Sequence, residues 1–240
     1  MSPMRQAHVG HTASLLRGSI LVVAGCAHTG ASKGLARTPS VERYDIARDF
    51  WQVSKCFPEA VMDHASCSDE NTVYVSGGKI DSGEISDKFY AYDNKNDVWL
   101  NKGKMRHVRR LHAMCFAEEK SVVYIIGGAD YEQFVRPMEQ YCVTTEQISS
   151  WSVNTVPRGF AHACVFYHDG DIVICGGIRS SEHRGTNAIS KYDTRVRQWH
   201  ETCLKLQFPV YGASGVLYRL PWRMIPNEHV SCGTVKGVAI

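Results

Sequence analysis

An apolar run ending in glycine occurs four times in this chain: ILVVAG (Ile20–Gly25), TVYVSGG (Thr72–Gly78), VVYIIGG (Val122–Gly128) and DIVICGG (Asp171–Gly177). The terminal glycines stand 53, 50 and 49 residues apart. A small-residue stretch containing histidine precedes each run: GHTASLL, DHASCS, LHAMCF and AHACVF. His11, His64, His112 and His162 fall 14, 14, 16 and 15 residues before the terminal glycine. A tyrosine and then a tryptophan follow each run: Tyr44 and Trp51, Tyr92 and Trp99, Tyr141 and Trp151, Tyr192 and Trp199. Four features in one fixed order, at a period near 50, define a repeat architecture.

Each unit reads as four strands. The histidine strand leads through a turn such as AEEKS or YHDGD into the glycine-ended run. A longer loop of variable length then precedes the tyrosine strand, a turn such as DNKND or DTRVR, and the tryptophan strand. Asp, Asn and Gly between β-branched runs supply hairpin turns, and no segment carries a capped helical stripe. The class is all-β. VVYII is apolar at every position, as a strand covered on both faces must be. The glycine pairs allow backbone angles or close approaches that a Cβ forbids. Tyrosine and tryptophan offer large packing surfaces with a polar atom left to pair. One such sheet cannot bury both faces alone, so the units stack on one another.

The double glycine, the spaced tyrosine and tryptophan and the period together resemble the kelch repeat, over about residues 5–217. The resemblance implies a kelch-type β-propeller, partial in this chain. Four four-stranded blades are recognisable, at about 8–55, 60–104, 108–155 and 158–203. A truncated fifth covers 208–218, and residues 219–240 form a divergent C-terminal tail. VERYD and YAYD look most like the kelch-like (BTB–kelch) adaptors, whose propeller captures substrates for a cullin-RING ubiquitin ligase. Such propellers usually close with six blades, so a truncated isoform, a fragment or an altered gene model is expected ahead of a compact four- or five-bladed ring. The ligase would be reached only through BTB and BACK domains, which this sequence lacks.

Other function classes fare worse. The net charge of +3 is too small to argue for nucleic acid, and the run KGKMRHVRR (Lys102–Arg110) is short. Apolar runs fall far short of a membrane span of roughly 18 residues. Nine dispersed cysteines with no CxxC pair read as reduced thiols in an intracellular, cytoplasmic protein. His64 and Cys67 are three apart, as are His112 and Cys115, whereas residues sharing a strand face are two apart. These are packing residues, and neither a metal site nor a cofactor is expected. The glycines lack any phosphate-loop spacing, and no nucleophile with a base stands out, so the chain is read as not an enzyme.

A binding surface remains, on loops carried by a rigid scaffold. One loop set precedes the histidine strands and carries Asp63, Arg109, Arg110, Arg158, Phe160 and Tyr211. The other follows the glycines and carries Lys79, Asp130, Tyr131 and Arg179. Arginine pairs bidentately with carboxylates and aromatics give rigid buried contact, so a client protein or acidic peptide is the expected partner. An actin-binding kelch protein is the alternative reading, and a propeller enzyme ranks below it.

Overall fold

The structure, a computed structural model, describes residues 1–28, 34–151, 161–178 and 184–212. Each repeat builds one four-stranded antiparallel sheet whose strands lie side by side in chain order. The first sheet is β1 (Thr12–Leu16), β2 (Ser19–Val23), β5 (Val41–Asp45) and β6 (Phe50–Val53). Between β2 and β5, a small hairpin of β3 (Cys26–His28) and β4 (Leu35–Arg37) grows out of the loop after Gly25. In the second unit β7 (Val61–Met62) pairs with β10 (Lys79–Ile80). Its sheet is β8 (Ala65–Ser68), β9 (Thr72–Ser76), β11 (Lys88–Asp93) and β12 (Val98–Lys104). The third sheet is β13 (Ala113–Ala117), β14 (Val122–Ile126), β15 (Met138–Cys142) and β16 (Gln147–Trp151). The fourth is β17 (Cys164–His168), β18 (Asp171–Cys175), β19 (Thr186–Asp193) and β20 (Gln198–Val210). One 3₁₀ turn, Glu118–Lys120, is the sole helical element among the described residues. No helix there is long and apolar enough to cross a membrane.

The sheets stack face to face. On β14, Val123 and Ile125 pack toward the second sheet with Tyr74, Phe89 and Ala91. Val122, Tyr124 and Ile126 pack toward the fourth with Ile172, Ile174 and Tyr192. This is why VVYII is apolar throughout: alternate side chains serve two different interfaces. Each such fully buried side chain contributes roughly 1.5–3 kcal/mol relative to exposure. Tyr92 and Trp99 likewise pack against Leu16, Leu21 and Val41 of the first sheet.

Tyr44 faces Trp51 across its hairpin, Tyr92 faces Trp99 and Tyr192 faces Trp199, with ring centroids 5.1, 4.9 and 5.0 Å apart. The third unit departs from this. Tyr141 faces Ile148, and Trp151 stands opposite Met138, so Ile148 holds the position that tryptophan fills elsewhere.

The glycine pairs mark where two neighbouring chain segments squeeze in. A Cβ on Gly77 would lie 2.3 Å from the Arg109 carbonyl oxygen, and one on Gly78 would lie 2.7 Å from that of Met62. The terminal glycine of a run donates its N–H to the segment leading into the next unit. Gly25 reaches Val61 O at 2.8 Å, Gly78 reaches Arg109 O at 2.9 Å, and Gly177 reaches Val210 O at 2.9 Å.

A second backbone belt runs through all the units. Asp63 N–H donates to Gly10 O at 3.2 Å, Leu111 to Asp63 O at 2.8 Å, His162 to Leu111 O at 2.8 Å and Gly212 to His162 O at 2.9 Å. Every residue of this belt holds a positive φ, between 56° and 66°. The belt runs on to Gly212, which bonds the fourth lead-in as each lead-in bonds the one before it. Beyond 212 the expected fifth unit and tail lie outside the described residues.

Candidate functional site

The two loop sets meet at one end of the sheets. The lead-in to each histidine strand pairs with the residue just past the glycines: Val9 with Cys26, Met62 with Lys79, Arg110 with Ala129, Ala161 with Ile178. Asp63, Lys79, Arg110, Asp130, Tyr131 and Tyr211 therefore share this end. Arg158, Phe160 and Arg179 lie outside the described residues.

Consecutive lead-ins bring four side chains together around the backbone belt. Arg110 Nη1 stands 3.7 Å from Asp63 Oδ2, and both side chains remain partly open to solvent. His162 is next. Burial pushes its imidazole below the ordinary histidine value; the Asp63 carboxylate opposes this and the Arg110 guanidinium adds to it. The Tyr211 ring, 59% exposed as a residue, follows with its centroid 6.4 Å from that of His162.

The outer ring of candidates is tied to neighbouring loops. Tyr131 is 65% exposed, yet its hydroxyl accepts the Ile85 N–H of the preceding unit at 2.8 Å. Asp130 folds back on its own loop, accepting the N–H groups of Glu132 and Gln133 at 2.9 and 2.8 Å. Lys79 is partly buried, its backbone bridged to Met62 and Ile85. A further ion pair, Arg37 to Asp81 at 3.8 Å, links the loops of the first two units.

Arg109, expected on the binding surface, is an interior residue. Its side chain is fully buried, donating to Gly127 O at 3.0 Å, Pro137 O at 3.1 Å and Glu139 Oε1 at 2.7 Å. Glu139 also accepts the N–H groups of Arg106 and His107. The first unit builds the same staple from different residues. His8 Nδ1 bonds Ala24 O at 2.7 Å, and its Nε2 stands 3.4 Å from Glu42, off the hydrogen-bond direction. Glu42 in turn accepts the N–H groups of Arg5 and Gln6. A carboxylate buried on the third strand demands a buried cationic or donor partner, and Arg109 answers that demand rather than facing a client.

His162, expected among the packed histidines, lies instead at this end of the sheets and is only partly buried. Thr12, Ala65, Ala113 and Cys164 begin equivalent first strands, so the counterpart of His112 is Ala163 and that of His162 is Leu111. The signal was present in the spacing. The two-residue Asp169–Gly170 turn matches the short turn of the first unit, where the histidine stands 14 residues before the terminal glycine, not 15. The third unit reaches 16 because its 3₁₀ turn adds two residues.

The assembled end offers charges of both signs, an imidazole and an exposed tyrosine on a fixed backbone. That combination suits recognition of a polar protein segment. Among the described residues no three His, Cys, Asp or Glu side chains gather to hold a metal ion.

Residues 10–218 match the family profile described as the KLHDC2/KLHL20/DRC7 Kelch-repeats domain. Kelch-like protein 26 of Danio rerio is 26% identical over 213 residues, covering 87% of this chain and 33% of that protein. Kelch-like protein 36 of Mus musculus is 25% identical over 206 residues, covering 83% and 32%. The chain thus spans about a third of the length of these relatives. The solved structure of YjhT superposes with a TM-score of 0.71 at 15% identity, covering 90% of this chain and 70% of that one, which speaks for the fold alone.

Proposed function

Because the chain belongs to the family of kelch-repeat β-propeller proteins, we propose that it is a non-enzymatic interaction module whose glycine-end mouth captures a client protein, as the substrate-recognition part of a ubiquitin-ligase adaptor does. The supporting observation is the row of Asp63, Arg110, His162 and Tyr211 on four successive lead-ins, fixed by one hydrogen-bonded belt. Arg110 is the recognition cation. Its pairing with Asp63 at 3.7 Å is long and open to water, so an incoming carboxylate competes for it at little cost. An acidic client segment laid across the mouth would pair with Arg110 and stack on Tyr211. Recruitment of a cullin-RING ligase belongs to BTB and BACK domains.

Immobilised chain carrying Arg110→Glu and Tyr211→Ala is compared with wild type as bait in a cell lysate. The reading requires specific captured proteins to be lost while the unfolding midpoint stays unchanged. An unchanged set of captured proteins removes the mouth from the binding surface. Co-sedimentation with actin filaments, at equal strength for both forms, would replace the client reading with the cytoskeletal one.

A further inference from the structure

We propose that Cys164 and Cys175 form a dithiol modification site that glutathione disulfide, or a small disulfide of that class, converts reversibly into one intrachain disulfide. The two residues are direct cross-strand partners on β17 and β18. Directly opposed residues of an antiparallel pair have Cα atoms about 4.5–5.5 Å apart, inside the roughly 4.4–6.8 Å range of disulfides. Both thiols are free, and no other cross-strand pair among the described residues has cysteine on both sides. The same pair of positions holds Thr12 and Val23, Ala65 and Ser76, and Ala113 and Ile126 in the other sheets. The cysteine pair is therefore particular to the fourth unit and is no requirement of the repeat.

Strand alternation fixes which way the thiols point. Val165 and Ile174 pack toward the third sheet, so Cys164 and Cys175 share the opposite face. Cys164 is the more open of the two. Its thiolate attacks one sulfur of glutathione disulfide and releases one glutathione thiolate. The Cys175 thiolate then displaces the second glutathione from Cys164 and closes the S–S bond. Two protein thiols are oxidised, one glutathione disulfide is reduced to two glutathione thiols, and the two cysteine protons go to the departing glutathiones. Burial raises the Cys164 thiol above its ordinary value and pushes Cys175 up to about 11. The exchange is correspondingly slow at neutral pH and quickens about tenfold per pH unit between 7 and 9.

The test incubates the full chain with glutathione disulfide and maps the linkages by peptide mass spectrometry under non-reducing conditions. The expected product is a Cys164–Cys175 linked peptide that dithiothreitol abolishes. In Cys175→Ser, Cys164 is expected to stop at the mixed disulfide with glutathione. Mixed disulfides on both cysteines of the wild type, linkage of either to a different cysteine, or no reaction at pH 9 overturns the proposal. The wild-type map decides even where the variant fails to fold.

Discussion

Arg109 Nη2 donates to Glu139 Oε1 across 2.7 Å, and neither side chain meets solvent. The pair joins the segment leading into the third sheet to the middle of that sheet. Removing one partner leaves a buried charge uncompensated, so Arg109→Met or Glu139→Leu is expected to cost about 3–5 kcal/mol. Urea unfolding of each variant checks this. The double variant should lose much less than the sum of the two, because it leaves no orphan charge. A full sum would mean that the two residues act separately.

Gly77 and Ala24 occupy equivalent positions, with φ of 62° and 53°. At Gly77 a Cβ would lie 2.3 Å from Arg109 O and 2.7 Å from the His112 ring. Gly77→Ala is therefore expected to destabilise by about 3 kcal/mol or more, through backbone clash added to left-handed strain. Ala24→Gly relieves about 1 kcal/mol of strain but exchanges it for a lost buried methyl of similar worth, leaving stability within about 1 kcal/mol of wild type. Denaturant midpoints of the two variants measure the contrast.

His64 is buried between the first two sheets, its Nε2 3.0 Å from Thr12 Oγ1. Burial, and secondarily the neighbouring His11, lower its pKa from 6.5 to about 3. The unfolded chain takes up a proton below about 6.5 while the folded chain does not. The stability is thus complete above that pH and falls by about 1.4 kcal/mol per pH unit as pH drops toward 3. His112, also lowered by burial, adds a loss in the same direction. Urea midpoints measured from pH 7.5 down to 5 should fall for wild type and fall less steeply for His64→Gln. Parallel curves would remove His64 from the acid response.

Much of this was legible in the sequence because repetition reports packing directly. The apolar VVYII run, the glycine pairs and the tyrosines each recur because every inter-sheet junction makes the same demand. What the repeat concealed were positions where local length changed the register. His162 sits one residue off its apparent alignment, and Ile148 replaces tryptophan opposite Tyr141. The burial of Arg109 was hidden for another reason. An arginine in a loop reads as exposed unless its partner is known, and that partner lies 30 residues on. The trace was the glutamate shared by VERYD and MEQYC, a charge at a strand position that is otherwise interior.

Asp97 closes the outer edge of the second sheet by accepting two donors on one oxygen. Tyr92 Oη–H donates to Oδ1 at 2.5 Å, and the Lys55 N–H donates to the same oxygen at 3.0 Å. The Lys55 carbonyl then accepts the Trp99 indole N–H at 2.9 Å. The first sheet repeats the circuit through Tyr44, Asp49, Ser2 and Trp51. Each circuit fastens a lead-in segment to the tyrosine–tryptophan hairpin. Asp97 also holds a φ of 52°, which aspartate and asparagine tolerate better than alanine. Asp97→Ala removes the acceptor of the Tyr92 hydroxyl, leaving it only its Ser54 contact, and adds backbone strain, for an expected loss of about 2–3 kcal/mol. Asp97→Asn keeps an acceptor oxygen and the tolerated φ, for an expected loss under about 1 kcal/mol. Unfolding monitored by tryptophan fluorescence reads both, since Trp99 sits in the circuit. Equal losses for the two variants would show that the charge of Asp97, and not its oxygen as an acceptor, holds the edge.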